Sequence, residues 1–396
     1  MKKTMWFPLA CTVLYMVAIA VWSGDVSLLL SMLVAPVCVT VYILFGDRLG
    51  KVGAVLFSAA IGWSAVLEAQ SFVRSMEQLI FEENHTLFGF SWLAMVEMLG
   101  LIGAVCAFVG TLGRFRYAIV LQCGALLQAI AGMARLLLEY CFPHEVVYTY
   151  TQPTIVWVGA DGYTFIADLL TILYYIGLAV FAYHAYCARK EQGLWSESHE
   201  HFIAPKTACV LLMSASVYIA VLIGTTLPFS TEGAVGSMVS GLISPLCVLV
   251  YALWGERLGR WTSMLIPVVT GILLLTAGLL GVSSETLNGF SWVYMLLLIG
   301  PLLMFIGSLS NFRRAVLLQY GAIAQAGLVV LLPLVLLLLE GNTMYWPAES
   351  AWDMFAKVKT IYTSVALAVF YIGLAVLAVQ KKREQVEVVP EQGESV

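Results

Sequence analysis

Long apolar runs set the first limit on what this chain can fold into. A helix that crosses a bilayer needs roughly 20 apolar residues. Windows of that kind fall at 5–23, 27–45, 52–71, 90–111, 116–138 and 163–186, and again at 207–227, 236–254, 262–282, 290–309, 314–338 and 360–380. Of the 396 residues, 61% are hydrophobic and 11% charged, against about a quarter charged in a soluble domain. That balance excludes a water-soluble enzyme, and a net charge of −4 leaves no basic field for nucleic acid. The eight cysteines stand singly, without CxxC or Cys/His spacing, and read as small apolar residues; no metal site or cofactor is expected.

Lysine and arginine give these windows an orientation. With both ends on the inner side, Lys2, Lys3, Arg48, Lys51, Arg114, Arg116, Arg189, Lys190, Lys206, Arg257, Arg260, Arg313, Arg314, Lys381, Lys382 and Arg383 all fall inside. Only Arg74, Lys357 and Lys359 fall outside, a split of 16 against 3 with Arg135 left within a span. Cytoplasmic loops carry such an excess, and an error of one span would destroy the segregation. The expected fold is an all-α polytopic membrane protein with twelve transmembrane helices and both termini cytoplasmic, in the cell membrane. Asn84-His85-Thr86 is an outward N-glycosylation sequon, meaningful only in a secretory-pathway host.

The chain also repeats itself. Residues 35–51 match residues 244–260 at 10 of 17 positions. Gly89-Phe90-Ser91-Trp92 recurs as Gly289-Phe290-Ser291-Trp292, and Tyr175–Val180 recurs as Tyr371–Val376. Gln122, Gly124, Ala125 and Gln128 recur as Gln319, Gly321, Ala322 and Gln325. Each copy holds an even number of spans, so the two six-helix repeats enter the membrane in the same sense. The divisions are a first repeat at 1–188, a polar cytoplasmic linker at 189–206, a second repeat at 207–383 and a polar tail at 384–396. His199 and His201 in the linker read as solvated residues rather than metal ligands.

Between the second and third windows lies Gly46-Asp47-Arg48-Leu49-Gly50-Lys51, and between the eighth and ninth lies Gly255-Glu256-Arg257-Leu258-Gly259-Arg260. Glycine permits a tight reversal there, while acid and base can face helix ends of opposite polarity. This D/E-R-x-G-K/R core resembles the signature loop of the major facilitator superfamily, as do twelve spans in two halves with a long central loop. The resemblance implies transport by alternating access, with Asp47, Arg48, Lys51, Glu256, Arg257 and Arg260 in cytoplasmic latch loops. The chain departs from the family pattern at Ile43 and Ala252, where the family has glycine, and at Val52 and Trp261, where it has a second base.

Ionisable residues inside a span are costly and usually face a cavity or a partner. Glu97 lies mid-window, Arg135 and Asp168 lie toward the outer ends of theirs, and Glu68 approaches an outer end, where snorkelling is the plainer account. By the aligned offsets Glu97 falls opposite Leu297, Arg135 opposite Leu332 and Asp168 opposite Ser364. The second copy dispenses with all three charges, so the first half is specialised. Glu97, Arg135, Asp168, Gln122 and Gln319 are therefore the candidates for a substrate or coupling cavity. Gln122 and Gln128, kept in both copies, also suit helix–helix hydrogen bonding.

Residues 140–162 and 341–359 are long, aromatic outer loops, expected as interfacial segments. No GxxxxGK[ST], HExxH or GxSxG occurs, so neither ATP-driven pumping nor intramembrane hydrolysis is encoded. The expected function is a secondary transporter of a small solute, with proton coupling as one option, working in the lipid bilayer as a monomer or weak oligomer. The alternative is a non-transporting membrane sensor or accessory protein built on a transporter-like bundle.

Overall fold

The computed structural model describes residues 5–22, 26–81, 87–113, 115–141, 145–149, 152–156, 162–191, 203–226, 232–283, 291–340 and 351–388. The sequon at 84–86, the linker histidines, the loop at 341–350 and the last eight residues lie outside the described residues.

Helices carry the fold. They are α1 (Trp6–Trp22), α2 (Val26–Phe81), α3 (Leu87–Thr111), α4 (Ala118–Cys141), α5 (Gly162–Glu191), α6 (Pro205–Thr226), α7 (Glu232–Leu258), α8 (Thr262–Ser283), α9 (Ser291–Phe312), α10 (Ala315–Glu340) and α11 (Ala351–Val388), with a 3-10 turn at Gly259–Trp261. Among the described residues every apolar window falls on helix apart from turn residues at its ends. Six stretches are long and apolar enough to cross a membrane: Arg48–Val73, Ala118–Leu138, Phe165–Ala188, Pro205–Thr226, Gly241–Leu258 and Lys359–Gln385. Shorter apolar helical stretches are Trp6–Ala20, Met32–Gly46, Met95–Thr111, Thr262–Ala277, Leu298–Leu309 and Ala315–Leu331. Their outer faces are apolar as well, with Trp6, Val55 and Leu275 all exposed. A helix apolar on every face belongs in a core or in lipid.

Both outer loops hold regular structure among their described residues: the end of the 341–359 loop is the start of α11, and the 140–162 loop carries strands. Glu145–Thr149 (β1) and Gln152–Val156 (β2) pair as an antiparallel hairpin, with Glu145 opposite Val156 and Thr149 opposite Gln152. Val146, Val147, Thr154 and Ile155 are β-branched and favour the extended chain.

The chain forms two compact units, α1–α5 with the hairpin in one and α6–α11 in the other. Within the first, each helix packs on its neighbour in sequence and α5 returns to α1; within the second, α11 likewise returns to α6. The two windows merged in α2 are separated by a break at Gly50, which takes φ +52° and ψ −120°. Its counterpart Gly259 takes φ +54°. A side chain at either would meet open space, so the need for glycine is purely conformational. Gly50→Ala or Gly259→Ala is expected to cost about 1–2 kcal/mol for the left-handed backbone, read as a lowered thermal unfolding midpoint in detergent with unchanged helical content.

Matched contacts follow the sequence repeat. The turns before α4 and α10 hold Phe115 and Phe312 at φ 61° and 63°. Tyr42 meets Phe115 at 5.3 Å between ring centroids, and Tyr251 meets Phe312 at 6.4 Å. Tyr15 stacks on Tyr174 at 4.7 Å, and Tyr218 on Phe370 at 5.3 Å. Gly110 lies against the Leu121 backbone and Gly307 against that of Leu318; Gly62 lies against Phe108 and Gly271 against Phe305. Without these glycines the helix axes could not approach so closely, and close approach is what holds helices together where water cannot drive them.

Candidate functional site

Three helices of the first unit turn polar side chains to one place by simple periodicity. On α4, Gln128, Ala131, Gly132 and Arg135 stand at i, i+3, i+4 and i+7, one face of the helix. On α5, Asp168, Thr171 and Tyr175 do the same, and on α3 Glu97 and Gly100 are one turn apart. With Glu68 from α2 they line a cavity of about 100 Å³.

Arg135 Nη1 lies 3.2 Å from Glu97 Oε1, and the two environments are unequal: Glu97 is 5% exposed and Arg135 44%. The carboxylate is thus held inside the protein while the guanidinium reaches to the rim. Glu68 enters because position 100 is glycine: a Cβ there would stand 2.8 Å from Glu68 Oε1. Thr171 donates to the Ala167 carbonyl at 2.9 Å and is hydrogen-bonded to Tyr15. Tyr175 is hydrogen-bonded to Ser64. Three carboxylates against one guanidinium make the cavity acid-rich. Among the described residues no group of three His, Cys, Asp or Glu is arranged to hold a metal ion. An ammonium group, or a proton shared among the carboxylates, suits it better.

Beside it the side chains close up, leaving no room for a water molecule. Gln128 and Tyr175 stand between the cavity and this closed region, where Ser64 and Tyr174 pack. Tyr174 is 2% exposed, and its hydroxyl has no hydrogen-bond partner among the described residues.

Glu97, Arg135 and Asp168, singled out from sequence on three separate windows, therefore meet in one cavity, and Glu68 joins them. Gln122 does not line the cavity; Gln128 does. The helical wheel carries that distinction, since Gln128 is seven residues from Arg135 and Gln122 is thirteen, about 220° around the helix at about 100° per residue. Gln319 belongs to the second unit and is half-buried. Arg48, Lys51, Glu256 and Arg257 are exposed on the two glycine turns; the side chains of Asp47 and Arg260 lie outside the described residues.

The contacts also correct one pairing between the copies. Gly103 meets Gln128 and Gly124, and Gly300 meets Gln325 and Gly321, so α3 and α9 correspond with an offset of 197 rather than the 200 of their Gly-Phe-Ser-Trp starts. In that register Glu97 falls opposite Tyr294, not Leu297. Neither carries a carboxyl group. Arg135 and Asp168 keep Leu332 and Ser364, and Glu68 falls opposite Ala277. The stacked rings, the glycine contacts, Gln128 and Tyr175 all have counterparts in the second copy, and the charges have none. No family model, no curated protein and no solved structure matches this chain.

Proposed function

We propose that the chain is a twelve-span membrane protein of two parallel six-helix repeats, with both termini in the cytoplasm of a cell whose surface membrane it occupies. In this reading it is a secondary transporter of the major facilitator type, moving a small solute by alternating access, and the acid-rich cavity of the first repeat binds the solute or a coupling proton. One observation carries it: four ionisable side chains converge on a cavity in one copy of a scaffold whose other copy has none of them. If the charges only held helices together, the second copy would need substitutes for them. The glycine turns with Arg48, Lys51, Glu256 and Arg257 support the latch role that the loop resemblance implies.

A second reading has its own support. The cavity is complete within the first unit, which suits a sensor that binds a ligand without moving it. Single cysteines at positions 97, 122, 135 and 319, in a chain stripped of native cysteines, separate the two. Transport predicts that the cysteines introduced at positions 97 and 135 react with a membrane-impermeant thiol reagent from both faces, in proportions that shift with pH or solute. Labelling from one face under every condition removes the transporter reading and leaves the sensor.

A further inference from the structure

At one end of the second unit, two segments far apart in sequence are tied together. The side-chain amide of Gln385, near the end of α11, donates to the carbonyl of Phe312, the last residue of α9, at 2.7 Å. The next two residues are Arg313 and Arg314, both exposed in the turn that leads to α10. Lys382 stands three residues before Gln385, on the same face of α11, and is exposed as well. Glu384 is already engaged: one oxygen accepts from Gln380 at 2.6 Å and the other from Lys381 at 2.8 Å. Arg313, Arg314 and Lys382 make no ion pair among the described residues.

The first copy folds without most of these charges. Lys381, Lys382 and Arg383 stand where α5 has Ala185, Tyr186 and Cys187, and Arg314 stands where the first copy has buried Tyr117. Arg313 does have a counterpart, Arg116, but its guanidinium lies 5.7 Å from the centre of the Tyr117 ring. In α5 the first Lys or Arg is Arg189, opposite Gln385, so the bases of α11 begin one turn nearer the apolar stretch. An apolar track also leads away from the patch. Val316, Tyr320 and Ile323 follow Arg313 along α10 at helical spacing, and all three are exposed.

We infer that this face of the second unit holds an anionic phospholipid. Its phosphate lies among Arg313, Arg314 and Lys382, where arginine offers paired N–H donors to the oxygens. Its acyl chain follows Val316, Tyr320 and Ile323 down α10. Bases alone would suit any phosphate; the exposed apolar track beneath them selects one attached to a hydrocarbon chain. The inference concerns the second unit and does not depend on what the cavity of the first unit binds.

The test is native mass spectrometry of the full-length protein, released from detergent with equal amounts of phosphatidylglycerol and phosphatidylcholine of the same chain length. Phosphatidylglycerol is expected to be retained about tenfold or more over phosphatidylcholine, since each base near a membrane surface contributes about fivefold. Arg313→Gln and Lys382→Gln should each lower that preference about fivefold, and Lys382→Arg should keep it. Arg383→Gln is the control: residue 383 is two from Gln385, about 200° around the helix, so its loss should change little. Equal retention of the two lipids, equal effects of Arg313→Gln and Arg383→Gln, or displacement of phosphatidylglycerol by inorganic phosphate at matched ionic strength would overturn the inference. So would a preference that emerges only when Glu391→Gln and Glu394→Gln are combined, which would make the acidic tail the occupant.

Discussion

Replacing Gly110 with alanine is expected to abolish the folded protein or lower its stability by about 3 kcal/mol or more. A Cβ at Gly110 would run into the backbone nitrogen and Cα of Leu121, and no rotamer change can move a backbone. The only relief is for α3 and α4 to separate. That separation would reach the site, because Glu97 and Arg135 are carried by those two helices. Gly307→Ala is expected to do the same to α9 and α10 through Leu318. Gly327 in α10 is the control: nothing lies within 4 Å of its missing Cβ, so Gly327→Ala should be neutral or stabilising by up to about 1 kcal/mol. Fluorescence-detected gel filtration after heating reads all three. Equal behaviour of Gly110→Ala and Gly327→Ala would contradict the close packing of α3 on α4.

The second large effect is on function. Glu97→Gln keeps the shape of the side chain and a hydrogen-bonding oxygen for Arg135, but removes the charge from a site 5% exposed. Truncating one member of a buried charged contact with a ligand costs about 2–5 kcal/mol, so activity should fall about 30-fold or more. The measurement is the current from proteoliposomes challenged with a panel of small cations, anions and neutral solutes. The native protein is expected to respond to at least one cation, and the variant to lose that response with an unchanged elution profile. Loss of the folded protein would instead make Glu97 a structural residue held by Arg135.

Much of the fold was legible because its determinants are local. Apolar windows of bilayer length became helices, and glycine in the D/E-R-x-G turn took the left-handed backbone that the reversal needs, at Gly50 and Gly259 alike. The convergence of Glu97, Arg135 and Asp168 was harder to see. It depends on which helices neighbour one another and on the rotation of each about its axis, and neither is written in hydropathy. Glu68 resembles a snorkelling residue when judged by depth alone; its place in the cavity depends on the absent side chain of Gly100, on a different helix. Gln122 and Gln128 are equivalent as repeated polar residues, and only the helical angle separates them. The pairing of Glu97 with Leu297 carries the offset of the Gly-Phe-Ser-Trp segment into the body of α3, where the packing follows a register three residues shorter. The β1–β2 hairpin is hard to read because Pro153 stands inside its second strand, where proline ordinarily argues against one.

In the proposed function the charges of the first copy serve a ligand and the shared scaffold holds the fold. Glu97→Gln, Arg135→Leu and Asp168→Ser in one chain test it directly, since the last two install the residues of the second copy. The unfolding midpoint and the proteoliposome current are measured on the same preparation. A midpoint within about 4 °C of the native protein and no current are expected. A chain that no longer folds, or one that still carries the native current, would contradict it.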